Sequence, residues 1–144
     1  GAQSNLIFNF SRQMMDCEIT GKLTNPFVQP LLQDVATQCT SSVPWNSGSI
    51  LLTQQVLHDF VFSAGYYYQG ELQFIDTSAP QTRMQRLDLR IAHAFGNKNR
   101  SSGGEVAFVV QNVLQDNYTN YPIVSATKNI TFNRRAYLTA TINF

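Results

Sequence analysis

Residues 134–144, Arg-Arg-Ala-Tyr-Leu-Thr-Ala-Thr-Ile-Asn-Phe, alternate without interruption. Ala136, Leu138, Ala140, Ile142 and Phe144 fall on one side, and Arg135, Tyr137, Thr139, Thr141 and Asn143 on the other. A two-residue period fits only an extended strand, whose successive side chains point to opposite faces. One face of that strand seeks an apolar neighbour and the other seeks water or hydrogen bonds. The same period returns in residues 85–95, where Leu87, Leu89, Ile91 and Phe95 oppose Arg86, Asp88 and Arg90, and His93 falls on the apolar side. In residues 105–114, Val106, Phe108 and Val110 oppose Glu105 and Gln111. Residues 60–74 read as one long strand, with Phe60, Phe62, Ala64, Tyr66 and Tyr68 against Ser63, Gly65, Tyr67, Gln69 and Glu71. Residues 50–56 and 5–12 complete a set of about six strands.

Composition narrows the chemistry of the polar side. Charged residues make up 13% of the 144-residue chain, about half the share of an ordinary soluble domain. Asn and Gln together outnumber the 19 charges, so most of the polarity is uncharged. A net charge of +1 gathers no polyanion, and nucleic acid is not an expected partner. Sixteen Phe and Tyr residues against one Trp suit pleated sheet. No apolar run is long enough for a transmembrane helix, which leaves strands as the one means of crossing a membrane.

Two architectures share this alternation. A soluble antiparallel sheet with one wet face shows it. So does a membrane barrel, whose strands need roughly 9–11 residues each, apolar outward and polar toward a lumen. The links support the barrel: 57–59 and 96–104 are shorter than 13–49, 75–84 and 115–133, respecting one end with turns and one with long loops. Arg, Asp, Gln, Thr and Tyr on the inward side also suit a water-filled lumen better than a dry core.

Catalytic motifs are sparse. His58 and Asp59 are adjacent, and neighbouring residues of a strand point to opposite faces. Two distant His and two Cys offer no zinc motif, and neither the glycines at 103–104 nor Gly70 form a phosphate loop. No metal, cofactor or enzymatic activity is expected. Cys17 and Cys39 bracket a polar, Pro-containing stretch and form either one local disulfide or two free thiols. The sequons at Asn117 and Asn129 are short patterns in an Asn- and Thr-rich chain.

From about residue 50 the chain resembles the C-terminal end of a TonB-dependent outer-membrane receptor barrel. The matching pieces are residues 86–92 (Arg-Leu-Asp-Leu-Arg-Ile-Ala), residues 104–114 through Val109-Val110-Gln111-Asn112, the pair Asn117-Tyr118 with Tyr121, and residues 132–144 ending on Phe144. Tyr66-Tyr67-Tyr68-Gln69 resembles an upstream strand of the family. The resemblance implies residence in the outer membrane of a Gram-negative bacterium and solute uptake. It makes Phe144 the C-terminal signal read by the barrel-assembly machinery. It also turns loops 13–49, 75–84 and 115–133 outward, with both Cys in the largest. Family receptors are several-fold longer and carry an N-terminal plug and a short segment that engages TonB; residues 1–12 do not resemble that segment, and no plug fits before the first expected strand.

The whole chain is therefore expected to be a C-terminal portion of an antiparallel transmembrane β-barrel. Six strands are too few for closure, since membrane barrels start at about eight, so further strands are expected as partners, with lipid around the wall. Tyr67, Glu71, Arg86, Asp88, Arg90, Glu105 and Arg135 are the expected lumen-facing residues. The alternatives are a subunit lending strands to a multi-chain outer-membrane pore or secretion complex, and a soluble all-β binding module.

Overall fold

The computed structural model describes residues 3–20, 26–73, 80–81, 83–96, 103–114, 118–121 and 130–143. In chain order the elements are β1 (Ser4–Arg12), α1 (Gln29–Thr40), β2 (Asn46–Leu57), β3 (Phe60–Gln69), β4 (Leu72–Gln73), β5 (Pro80–Gln81), β6 (Met84–Gly96), β7 (Gly103–Gln111), β8 (Tyr118–Tyr121), β9 (Ile130–Phe132) and β10 (Arg135–Asn143). Six of the strands make one antiparallel sheet in the order β1-β2-β3-β6-β7-β10. Two small hairpins, β4–β5 and β8–β9, interrupt the links β3-to-β6 and β7-to-β10 at one end of that sheet. The turn at His58–Asp59 lies at the opposite end, here called lower.

The sheet is not closed. Among the described residues β1 and β10 are its outer strands and have no neighbour on their far sides. Backbone bonds extend the ladders just past the strand ends, Gln13 N to Trp45 O (3.0 Å), Gly70 N to Asn46 O (2.8 Å), Ala94 N to Asp59 O (2.8 Å) and Val113 N to Leu87 O (2.8 Å). The pairing register shifts once within β2, between Gln55 and Leu57, a bulge that lets the chain twist into its tight turn.

Continuous register sorts every strand residue onto one of two faces. One hydrogen-bonded row runs Ser4, Gln54, Phe62, Ile91, Phe108, Leu138, and the next runs Leu6, Leu52, Ala64, Leu89, Val110, Ala136. Both belong to the apolar face, which is open: Leu138 is 71% exposed, Leu6 and Phe8 65% each, Ile142 59%. Among the described residues the buried apolar ones are Ala92 and Ala107, cross-strand partners on the opposite, polar face, and no large side chain is fully buried. Among the described residues no second layer lies against the sheet to form a core. The chain exposes 10729 Å², where a compact monomer of its mass exposes about 7,500 Å².

The apolar band also drifts. On β1 it centres on Phe8, four residues above the Ser4 row; on β10 it spans Ala136 to Ile142 and centres one residue below that row. Over the five steps between them it slips about one residue per strand.

Several boundaries depart from the expected ones. The long strand 60–74 ends at Gln69, because β2 begins at Asn46 and offers no partner beyond it; after the bond from Gly70 to Asn46 the chain turns into β4. The strand expected at 50–56 covers Asn46–Leu57. That expected at 105–114 spans Gly103–Gln111 and stops where Asn112 takes a positive φ of 58°. The loop 13–49 contains α1, which opens with Pro30 in its first turn and gains Gln38 Nε2 to Asp34 Oδ2 (3.0 Å) along one side. Cys39, near the end of α1, is bonded to Cys17 with a Cα–Cα distance of 6.0 Å, so both thiols are consumed and the loop is cross-linked.

Candidate functional site

The polar face carries the densest side-chain chemistry, and β6 is its spine. Arg86, Asp88 and Arg90 sit two residues apart and therefore point the same way. The Arg86 fork closes on Asp88 through Nε to Oδ1 (2.8 Å) and Nη2 to Oδ2 (2.6 Å), a bidentate ion pair within one strand. The backbone N–H of Asn112 donates to the same Asp88 Oδ1 at 3.0 Å. Asp88 thus accepts three bonds at 18% side-chain exposure, and it ties the end of β7 to β6. The positive φ of Asn112 is what aims that N–H inward, and Asn tolerates this conformation better than most side chains.

Tyr67 on β3 is the direct cross-strand partner of Arg86, and the guanidinium carbon stands 5.7 Å from the centre of its ring. The ring also lies over Gly65, whose missing Cβ would meet Tyr67 Oη at 3.1 Å. Arg90 pairs with Glu105 of β7, where the two side chains are 33% and 40% exposed. Arg90 and Glu105 lie two residues along their strands from Ala92 and Ala107, on either side of that pair, so the Arg90–Glu105 ion pair runs diagonally past the buried alanines.

Arg135 begins β10 opposite Gln111 and pairs with no described carboxylate. Of the seven expected lumen-facing residues, six share the polar face: Tyr67, Arg86, Asp88, Arg90, Glu105 and Arg135. Glu71 does not join them. It lies past the end of β3, in a cleft with Trp45, Tyr68 and Arg83. Phe144 and the sequon asparagines Asn117 and Asn129 lie outside the described residues.

Charge is unevenly spread over this face. From β6 to β10 it is ionic and aromatic. From β1 to β3 it is uncharged: Asn5, Asn9, Ser49, Thr53 and Ser63 share it with the cross-strand pair Ile7 and Leu51, and Asn9 Nδ2 donates to Ser49 Oγ at 3.4 Å. At its lower end a concavity of about 750 Å³ is lined by Asn5, Thr53, Gln55, His58, Asp59 and Val61 among others. On the apolar face His93 stacks against Phe60 with centroids 4.4 Å apart, which occupies its ring in packing. No group of three or more His, Cys, Asp or Glu among the described residues could hold a metal ion.

Alternation alone could place the charged residues on one face. It could not pair Tyr67 with Arg86 or recruit Asn112, because both depend on register between strands. No known family profile, curated protein or solved structure matches the chain.

Proposed function

We propose that the chain forms part of an outer-membrane β-barrel in a Gram-negative bacterium, the C-terminal portion of a receptor or transporter of TonB-dependent type. Its role there is to supply wall, lumen lining and outer loops for uptake of a solute, with no bond made or broken. The observation that carries this reading is the exposed apolar face with its drifting band. In water, a continuous face of Leu, Ile, Val and Phe over six strands is a large uncompensated cost. Against lipid tails it costs nothing.

The drift supports the same reading quantitatively. Strands rise about 3.3 Å per residue and lie about 4.8 Å apart, so with a slip of one residue per strand the strands lean by about 35° from the perpendicular to a level apolar band. Membrane barrels tilt their strands by about 35–45°. A sheet resting on a soluble partner has no need for its apolar positions to follow such a slope. Strands of 9 to 13 residues in the main sheet fit the required crossing length.

On this reading the free edges of β1 and β10 take further strands, because each unpaired backbone group left in lipid costs several kcal/mol. The charges of β6 and β7 face the lumen as a mutually neutralised set, and Phe144 serves the assembly machinery. The test is the native mass and chain content of the species extracted from outer membranes in mild detergent. Recovery of this chain together with further barrel strands is the expected result. Separate chains sharing one barrel would indicate the multi-chain form, and a water-soluble 16 kDa monomer would overturn the membrane reading.

A further inference from the structure

Above the apolar band, where β2 begins and β3 ends, the structure has a cleft of about 470 Å³ lined by Ser41, Trp45, Asn46, Tyr68, Glu71 and Arg83, with Gly70 and Leu72. We propose that this cleft binds an uncharged pyranose ring of a glycan. The volume lies within the range of about 300–1,000 Å³ usual for small-ligand sites, and the lining has the duality a sugar requires. A pyranose presents C–H groups on its ring faces and hydroxyls around its rim, so it needs flat aromatic surface together with hydrogen-bond donors and acceptors.

Trp45, 54% exposed, is the only tryptophan of the chain, and Tyr68 shares the cleft with it. Large amphipathic rings with one wet side suit such a contact. Glu71, Arg83, Asn46 and Ser41 supply carboxylate, guanidinium, amide and hydroxyl groups. Glu71 and Arg83 both line the cleft, and neither belongs to the two ion pairs seen among the described residues. Their opposite charges sum to zero, so the pair presents no net attraction to a simple ion, whereas a polyol can donate to Glu71 and accept from Arg83. The floor is fixed backbone, since Gly70 N bonds Asn46 O at 2.8 Å and a Cβ on Gly70 would come within 3.2 Å of that oxygen.

Two sources present this chemistry. Tyr68 and Asn46 belong by register to the apolar side of the sheet, just beyond its band, the level of lipid headgroups if the sheet spans a membrane. The sugar is then either a free glycan or the headgroup of a glycolipid. Its recognition stands without the membrane reading; the glycolipid source rests on it.

Trp45 is the sole tryptophan of these 144 residues, and the difference in emission between the assembly and its Trp45→Phe variant isolates the signal of the cleft from the tryptophans of partner strands. The native assembly, held in a sugar-free amine-oxide detergent, is titrated with hexasaccharides of glucose, mannose and galactose. In parallel, phosphatidylethanolamine vesicles carrying the assembly are prepared with and without galactosyl glycerolipid. A saturable change in Trp45 emission with one of these probes is expected, weakened at least tenfold in Tyr68→Ala and in Glu71→Ala and restored in Tyr68→Phe, with strand content by circular dichroism unchanged. A response to free hexasaccharide identifies a solvent glycan, and a response to glycolipid vesicles alone identifies a headgroup. Silence across all probes overturns the proposal, as does an equal response in Tyr68→Ala or a response to phosphocholine but to no sugar. Silence from a membrane-embedded assembly defeats the cleft alone. Sugar binding by a water-soluble monomer leaves the cleft intact and defeats the barrel.

Discussion

The two faces of the six-stranded sheet obey opposite rules. On one, Leu6, Phe8, Leu138 and Ile142 are more than half exposed. On the other, polar and charged side chains bond to one another, and the buried apolar residues among those described are the facing alanines Ala92 and Ala107. A water-soluble domain hides the first kind of face and shows the second. The inversion teaches that the energy holding this sheet together comes from the backbone ladder and the polar face, while the apolar face is left uncovered. That distinction gives each substitution a predicted direction according to the face it lands on.

The widest separation is expected between adjacent residues of β10. Leu138 and Thr139 are both exposed, they differ by one position, and their side chains point to opposite faces. Leu138→Arg is expected to destabilise the membrane-embedded assembly by about 2–4 kcal/mol, the cost of Arg near the middle of a bilayer. Thr139→Arg, facing the polar side, should change it by no more than about 0.5 kcal/mol, as for an ordinary exposed site. Urea unfolding of the assembly in vesicles reads both. Equal effects would mean that both faces see water.

That comparison depends on parity, which is the part of the fold the sequence discloses best. Leu87, Leu89 and Ile91 face away from Arg86, Asp88 and Arg90 for the same reason that they alternate along the chain, and continuous register carries this parity across neighbouring strands. What is not legible depends on partners distant in sequence. The strand through residues 60–74 stops at Gln69 because β2 runs out at Asn46, a fact about pairing that local alternation cannot contain. Helix α1 was hidden because Leu31, Leu32, Val35 and Ala36 give too few apolar positions to outweigh a Pro and a polar surround; its cross-link to Cys17 helps to hold it. Glu71 fell out of the charged group for the same reason as the strand end. The role of Asn112 needs a positive φ that nothing in its neighbours announces.

Within the polar face, the two ion pairs should differ. Asp88 accepts from Arg86 twice and from the Asn112 backbone, at 18% side-chain exposure, so Asp88→Ala leaves a partly buried guanidinium and an amide N–H without their acceptor. Loss of about 1.5–3 kcal/mol is expected, as for hydrogen bonds involving charge. Glu105 is 40% exposed and faces Arg90 alone, so Glu105→Ala should cost at most about 1 kcal/mol. High salt should narrow the Glu105 effect further and leave most of the Asp88 effect in place. A reversed order would mean that the Asn112 bond to Asp88 contributes nothing to stability.

The finest test uses two glycines, each covered by an aromatic ring but on opposite faces. A Cβ at Gly104, on the apolar face, would stand 2.7 Å from Phe95 Cζ and press on the backbone oxygen of Thr141. One at Gly65, on the polar face, would first meet the ring of Tyr67, 3.1 Å from its hydroxyl. A side chain can swing away and a paired strand cannot. Gly104→Ala is therefore expected to cost about 1–3 kcal/mol, and adding Phe95→Ala should not relieve it, because the Thr141 carbonyl remains. Gly65→Ala should cost less than about 1 kcal/mol, yet it should displace Tyr67 from Arg86 and change the tyrosine environment seen by near-ultraviolet circular dichroism. Full rescue of Gly104→Ala by Phe95→Ala would show that the ring, and not the β10 backbone, limits how closely β7 is packed, and the two faces would then tolerate a methyl group alike.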